Sequence, residues 1–397
     1  MKPNSLLATL TVGHFANDWS VCSIWLIAPA IGIAMDLSPA KVGLLITLVE
    51  VGGALAYLPA GMLTDHVSDR GKLLLGTFWW VGIGYLLAAL APGFWSLALV
   101  LAIAGMGDAA WHPIATGLLA REQPEKRAHV LGVHAIGGSL AEVLSPLFAG
   151  FLLAFVDWQV ALALAGVPAL AMGVYFLWYA KFVPVIERRR FDHREFLGLL
   201  KLWRTRNGVQ MVVMVCLYNM ALMGLLAMIP LYLADRHGMG LGAAGVAFST
   251  MLIVGALTQP WVGKISDRVG RRPVAYAGNF TAAAAAAAIA FHLPLVPAIA
   301  VMIVAVATLS AIRAAILAGM VDHAGRSEGT TLGLAFVLMD GVGALGAVFA
   351  GLAANLSWTH AFGLSATFAL GAGILAFVTV FAQPTATGTP PEPAVAE

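Results

Sequence analysis

Gly263-Lys264-Ile265-Ser266-Asp267-Arg268-Val269-Gly270-Arg271-Arg272 is a short basic loop set between two apolar runs. Gly61-Met62-Leu63-Thr64-Asp65, followed by Asp69-Arg70-Gly71-Lys72, repeats its outline 202 residues earlier. A loop that recurs at matching places marks an internal duplication. Trp158 and Trp358, 200 residues apart, each open a later apolar run and extend the echo.

The runs flanking these loops are long enough to cross about 30 Å of hydrocarbon, which takes roughly 20 residues. Twelve such runs recur, over 5–34, 42–63, 73–91, 95–120, 128–153, 159–182, 208–234, 240–264, 272–292, 295–321, 329–352 and 358–382, and are called spans 1 to 12 below. Composition agrees. Of 397 residues, 60% are hydrophobic and 11% charged, with a mean hydropathy of +0.88, whereas a soluble domain carries about 25% charged residues. A water-soluble globule is excluded. The 43 glycines suit close helix packing in lipid. The first run is too long and too polar for the core of a cleaved signal peptide, so it reads as a span of the mature protein. Cys22 and Cys216 both fall inside spans and make no disulfide framework.

Basic residues orient the chain, because Lys and Arg stay on the cytoplasmic side. Nineteen of the 22 lie on the side that holds both termini, against Lys41 and Arg236 opposite and Arg313 within a span. Both termini are therefore expected in the cytoplasm of a bacterial cell, with the spans in its inner membrane. Six spans (1–182) precede a polar connection (183–206) carrying Arg188-Arg189-Arg190, and six follow it (207–382). That connection reads as a linker on the inner membrane surface. The tail, 383–397, is rich in Pro and Thr and reads as disordered. The expected architecture is all-α, two six-helix pseudo-symmetric bundles related by duplication.

At this point the chain resembles the major facilitator superfamily across all twelve spans. The loop pattern G-x-L-x-D-x-x-G-R-[KR] is matched well from Gly263 to Arg272 and loosely from Gly61 to Lys72, where Ser68-Asp69 interrupts it. The resemblance implies that Asp65, Arg70, Asp267, Arg268 and Arg271 brace one conformational state and do not touch substrate.

A charge inside the hydrocarbon costs several kcal/mol, so each one is a functional candidate. Asp18, Glu50, Asp108, Glu142, Asp340 and Arg313 lie inside spans, joined by His14, His112 and His134. None lies on spans 3, 6, 9 or 12, the lipid-facing layer of the implied fold. Counted from the terminal-side end of each span, His14 and His112 are about 9 and 8 residues deep and Asp18 and Asp108 about 13 and 12. Each His/Asp pair is spaced i, i+4 on one helix face. Glu50 and Glu142 count to about the same level. Four anions in one low-dielectric layer cannot all stay ionised, so at least one is protonated or neutralised by a cation.

Three readings stay open for that layer. Asp18, Glu50, Asp108 and Glu142 exchange protons; or His14, Asp18, Asp108 and His112 chelate a divalent metal, which imidazole and carboxylate at this spacing can do; or the groups form a structural polar network. In the other half, Arg313 and Asp340 form an ion pair, or Arg313 holds an anionic group of the substrate while Asp340 tunes it. Asn219 and Gln259 could add neutral hydrogen bonds.

Gly13-His14-Phe15-Ala16-Asn17-Asp18 is similar to the H-x-x-N-D signature of the fosmidomycin-resistance branch of that superfamily. Gly105-Met106-Gly107 through Trp111-His112-Pro113 resembles the branch's aromatic-His-Pro element, with Ile114 where an acid is common and Asp108 one turn earlier. Gly137-Gly138 to Ser145-Pro146-Leu147-Phe148-Ala149-Gly150 resembles the antiporter motif G-P-x-x-G-G. The resemblance implies a proton-coupled secondary transporter, an exporter of a small polar compound or drug by antiport. Transport of a divalent metal or its chelate, and proton symport of a small organic anion, are the alternatives. Its substrate would touch His14, Asn17, Trp111, His112, His134, Asn219, Arg313 and Asp340. The expected partners are that substrate, protons and the bilayer, with no nucleic acid, no cofactor and a monomeric state. No nucleophile with a positioned base and no phosphate-cradling loop appears, so an enzyme is not expected.

Overall fold

The computed structural model describes residues 3–123, 126–185, 203–291, 293–324 and 328–381. Most of the 183–206 connection and the tail 383–397 lie outside the described residues, as does the side chain of Asp65. Among the described residues the structure is all-helical, and its helices fall into the twelve expected spans. Ten are long and apolar enough to cross a membrane. Span 1 (Pro3–Ala34) and span 9 (Arg271–Ile289) are not among those ten. Polar residues from His14 to Ser20 interrupt the first, and weakly hydrophobic alanines dominate the second.

Several spans are not continuous α-helices, each for a local reason. Span 6 runs as Trp158–Ala165 and Val167–Tyr179, broken at Gly166 beside Pro168, which has no N–H to continue the ladder. Span 11 runs as Glu328–Phe336, a π-helical stretch Val337–Gly343 and Leu345–Ala354. Prolines inside spans 1 and 7, Pro29 and Pro230, are 201 residues apart, and so are Pro59 and Pro260 inside spans 2 and 8. Asp69 caps span 3 (Arg70–Ala89) by accepting the Lys72 N–H at 3.1 Å. Slight burial opposes ionisation there, but hydrogen bonds and charge from Lys72 prevail and hold the carboxyl below its ordinary value.

The packing repeats with the duplication. Span 1 packs on span 5 and span 7 on span 11; span 2 packs on span 4 and span 8 on span 10; spans 3 and 9 flank 4 and 10. The halves meet through spans 2 and 11 and through spans 5 and 8, the two equivalents of one contact. Trp80, Leu87, Leu177, Trp178, Ile374 and Phe377, on spans 3, 6 and 12, are exposed apolar side chains of the outer layer. Span 7 (Arg206–His237) is buried over most of its length and lies at the centre.

The two ends of the inter-half contact differ. On the side away from the termini, a Cβ on Gly43 would sit 2.2 Å from the Ala347 carbonyl oxygen, and one on Gly351 would sit 2.4 Å from that of Pro39. Across the other contact, a Cβ on Gly150 would lie 2.9 Å from the Gly245 Cα. Only bare backbone lets these helices approach so closely. On the terminal side, added Cβ atoms on Gly61, Gly117, Gly132, Gly263 and Gly333 meet nothing within 4 Å. Among the described residues, the closest backbone approaches between the halves thus lie at the end away from the termini.

Candidate functional site

Spans 1 and 4 bring the two His/Asp pairs together, as their equal depths predict. His14 Nε2 lies 3.2 Å from Asp18 Oδ2, while His112 Nε2 lies 3.7 Å from Asp18 Oδ1 and 3.8 Å from Asp108 Oδ2. All four side chains keep some exposure, between 13 and 25%.

Hydrogen bonding fixes the tautomer of His14. Its Nδ1 lies 2.9 Å from the His134 carbonyl oxygen, which only accepts, so Nδ1 carries a proton and donates. In a neutral ring Nε2 would then present a lone pair to the Asp18 carboxylate at 3.2 Å. Two acceptors do not rest at that distance without a positive species between them. Either a proton occupies the pair or another cation does.

The remaining N-terminal candidates support this pair. Asn17, fully buried, donates from Nδ2 to Asp108 Oδ1 at 2.6 Å and to its carbonyl at 3.2 Å. His134 is 1% exposed and stacks on His14 at 4.4 Å and on Trp111 at 5.4 Å. Trp111 is wholly buried against Phe78 and His14. In this conformation Asn17, Trp111 and His134 hold the polar groups in place from behind. Glu50 and Glu142 form no ion pair or hydrogen bond among the described residues. Of the four carboxylates, the structure brings only Asp18 and Asp108 into one group with the histidines.

Span 5 (Arg127–Leu152) approaches span 1 through Gly137 and Gly138. A Cβ on Gly137 would lie 2.1 Å from the Thr11 carbonyl oxygen, and one on Gly138 would lie 2.6 Å from His14 Nε2 and 3.0 Å from Asp18 Oδ2. Gly138→Ala therefore drives a methyl group between helix backbone and the His14/Asp18 contact. Overpacking of about 1–3 kcal/mol is expected, and 1.4 kcal/mol is already roughly tenfold in an equilibrium. Transport should fall about tenfold and thermal unfolding should move down by a few degrees; a variant with unchanged transport would show that this contact does not matter.

The C-terminal half corrects one expectation. Arg313 and Asp340 form no ion pair among the described residues. Asp340 Oδ2 instead accepts from the Tyr57 hydroxyl at 2.8 Å, across the boundary between halves. Tyr57 also lies against Phe336, with ring centroids 5.9 Å apart, and against His112 at 6.3 Å. Sequence reasoning does not single out Tyr57, since a lone tyrosine in an apolar run carries no signal. Asp340 belongs to the π-helical stretch, whose wider turn changes the helix register, so its face does not follow from a residue count. Asn219 donates to the Met339 carbonyl at 2.7 Å and is fully buried, pinning that stretch to span 7. The charged groups within electrostatic range of Arg313 are led by Glu142 of the other half, ahead of Asp340.

The loop motif is formed in the second half. Arg271 pairs with Asp267 and, at 3.2 Å, with Asp322 at the end of span 10, and its guanidinium also reaches Ser266. Arg268 is exposed, and Arg70 is 1% exposed at the start of span 3. A separate groove of about 560 Å³, lined by Trp19, Leu147, Phe148, Phe151 and Val246, is apolar and holds none of the titratable candidates.

Residues 10–347 and 241–395 match the sequence model of the Major Facilitator Superfamily. Fosmidomycin resistance protein of Escherichia coli is 22% identical over 281 residues, 68% of this chain and 66% of that one, so the match spans about two thirds of the relative. Among solved structures, a bacterial homolog of the human lysosomal transporter Spinster, in an inward-facing and unoccupied conformation, has a TM-score of 0.81 at 17% identity, covering 95% of this chain and 96% of the other. A nucleoside transporter has a TM-score of 0.79 at 14% identity, over 94% and 98%. These two likenesses concern the fold.

Proposed function

We propose that this chain, which belongs to the Major Facilitator Superfamily, is a proton-coupled exporter of a small polar compound, working by alternating access in a bacterial inner membrane. It is a multi-pass membrane transporter, and the coupling ion, the direction and the substrate are the proposal. The observation that supports it is the His14/Asp18 contact, which a shared proton accounts for. Asp18 is the primary proton carrier, and Asp108, steered by Asn17, shares the proton through His112. Glu50 and Glu142 supply the further charge of the layer.

Arg313, without an ion-pair partner among the described residues, is the group that receives an anionic substituent of the substrate from the second half. Asp340, engaged by Tyr57, links that wall to the proton site. The halves 1–182 and 207–382, joined by the 183–206 connection, rock against each other, with both termini in the cytoplasm. The close backbone approaches at the end away from the termini support a conformation in which an exporter loads cargo from the side that carries them. The Arg271, Asp267 and Asp322 contacts brace spans 8, 9 and 10 together in this one conformational state.

The test begins with a thermal-shift screen of fosmidomycin, other phosphonates, organic acids and amphiphilic drugs, because a ligand of the folded state raises its apparent stability. A binding probe is then followed in liposomes containing the protein. Uphill movement should require an imposed pH gradient and stop when it is collapsed; equal movement in both conditions would refute coupling. Arg313→Gln should weaken an anionic probe about 10- to 100-fold, matching the roughly 1.5–3 kcal/mol of a hydrogen bond to a charged group. An unchanged affinity for that probe removes Arg313 from the substrate wall.

A further inference from the structure

We propose that His14, Asp18 and His112 form a binding site for a transition-metal dication of the zinc class. The site coincides with the proton carrier but needs only these three side chains, so it stands whether or not transport is proton-coupled. One ligand atom from each lies within 4.8 Å of the other two. Ligands about 2.0–2.2 Å from a tetrahedral zinc stand about 3.3–3.6 Å from one another; His14 Nε2 is 3.2 Å from Asp18 Oδ2 and His112 Nε2 is 3.7 Å from Asp18 Oδ1, so the two imidazoles face the two oxygens of one carboxylate.

Three further features fit a metal. The hydrogen bond from His14 Nδ1 to the His134 carbonyl directs the Nε2 lone pair into the site, the arrangement by which metal-bound imidazoles are usually oriented. Asp18 Oδ1 is buried and has no hydrogen-bond partner among the described residues, although His112 Nε2 faces it. The three side chains are 13 to 25% exposed, so the group is not closed off from an entering ion. Asp108, expected as a fourth ligand, is held through Oδ1 by Asn17 and stands beside His112 instead. Two imidazoles and one carboxylate select zinc, cobalt, nickel or copper over magnesium and calcium, which prefer all-oxygen sites. Both donor spans belong to one half, so a bound ion would not tie the halves together; it would occupy the proton-carrying groups.

The experiment uses the full-length protein purified without a histidine tag. Zinc is titrated by calorimetry and cobalt by its visible absorption; copper is then bound to the wild type and examined by electron paramagnetic resonance. The expected results are one saturable site, affinity for zinc lowered at least about 100-fold in His14→Ala and in His112→Ala, no change in His237→Ala or His323→Ala, and hyperfine coupling to two imidazole nitrogens in the copper spectrum. Absence of saturable zinc binding, or binding equal in wild type and both ligand variants, overturns the site. The copper spectrum reads the wild type, so a single-nitrogen signal overturns it even if the variants fold poorly. No flux is measured, so this result is separate from the fate of the coupling proposal.

Discussion

Asp18→Asn is expected to abolish proton-driven transport while leaving a folded protein. The wild-type contact places a carboxylate oxygen 3.2 Å from His14 Nε2, whose ring already spends its Nδ1 proton on the His134 carbonyl. An asparagine amide at the same place donates N–H to that Nε2, so the contact becomes a satisfied neutral hydrogen bond with no proton left to exchange. The fold loses nothing, and coupling loses its carrier. Uphill movement of a probe under a pH gradient should fall at least about 100-fold, equivalent to roughly 2.7 kcal/mol, while exchange of labelled for unlabelled probe without a gradient continues. His14→Ala is expected to behave differently, because it leaves the half-buried Asp18 carboxylate short of its counter-charge and destabilises the protein as well. Gradient-driven transport at wild-type rate in Asp18→Asn would remove this residue from the mechanism.

Part of this arrangement is legible in the amino-acid sequence. Helix periodicity places His14 with Asp18 and Asp108 with His112 on single faces, and alternation of span direction sets them at one depth. Adjacency of spans 1 and 4 then brings them into contact. The same counting fails for Asp340, because a π-helical turn adds a residue and rotates the face, so Arg313 lacks the partner that depth alone assigns to it. Tyr57 escapes such counting for another reason: its role depends wholly on Asp340 and Phe336 from the opposite half. The duplicated loop implies the two-bundle architecture, whereas which end of the bundles is sealed depends on tertiary approach at glycines. A glycine in a membrane helix looks alike whether it meets a carbonyl or empty space.

That difference supplies the second large effect, expected in the double variant Gly43→Val with Gly351→Val. Each new Cβ would fall 2.2 or 2.4 Å from a backbone carbonyl oxygen of the facing span, and backbone cannot swing aside as a flexible side chain can. Overpacking costs about 1–3 kcal/mol per site, so the pair imposes about 2–6 kcal/mol against the sealed arrangement. About 5.5 kcal/mol is enough to turn a 99:1 population into 1:99, and a transporter that cannot seal this end cannot complete its cycle. Transport should drop about 100-fold. The direct readout is the distance between spin labels at Asp36→Cys and Leu356→Cys, with Cys22 and Cys216 replaced by serine, which should lengthen as the sealed end opens. Gly333→Val is the contrasting variant. Its Cβ meets nothing within 4 Å in this conformation, so the label distance should match wild type even where the cycle is slowed at the opposite end. A label distance unchanged by the Gly43 and Gly351 substitutions would mean that these contacts do not hold the halves together, and the seal would have to lie elsewhere along spans 2 and 11 or 5 and 8.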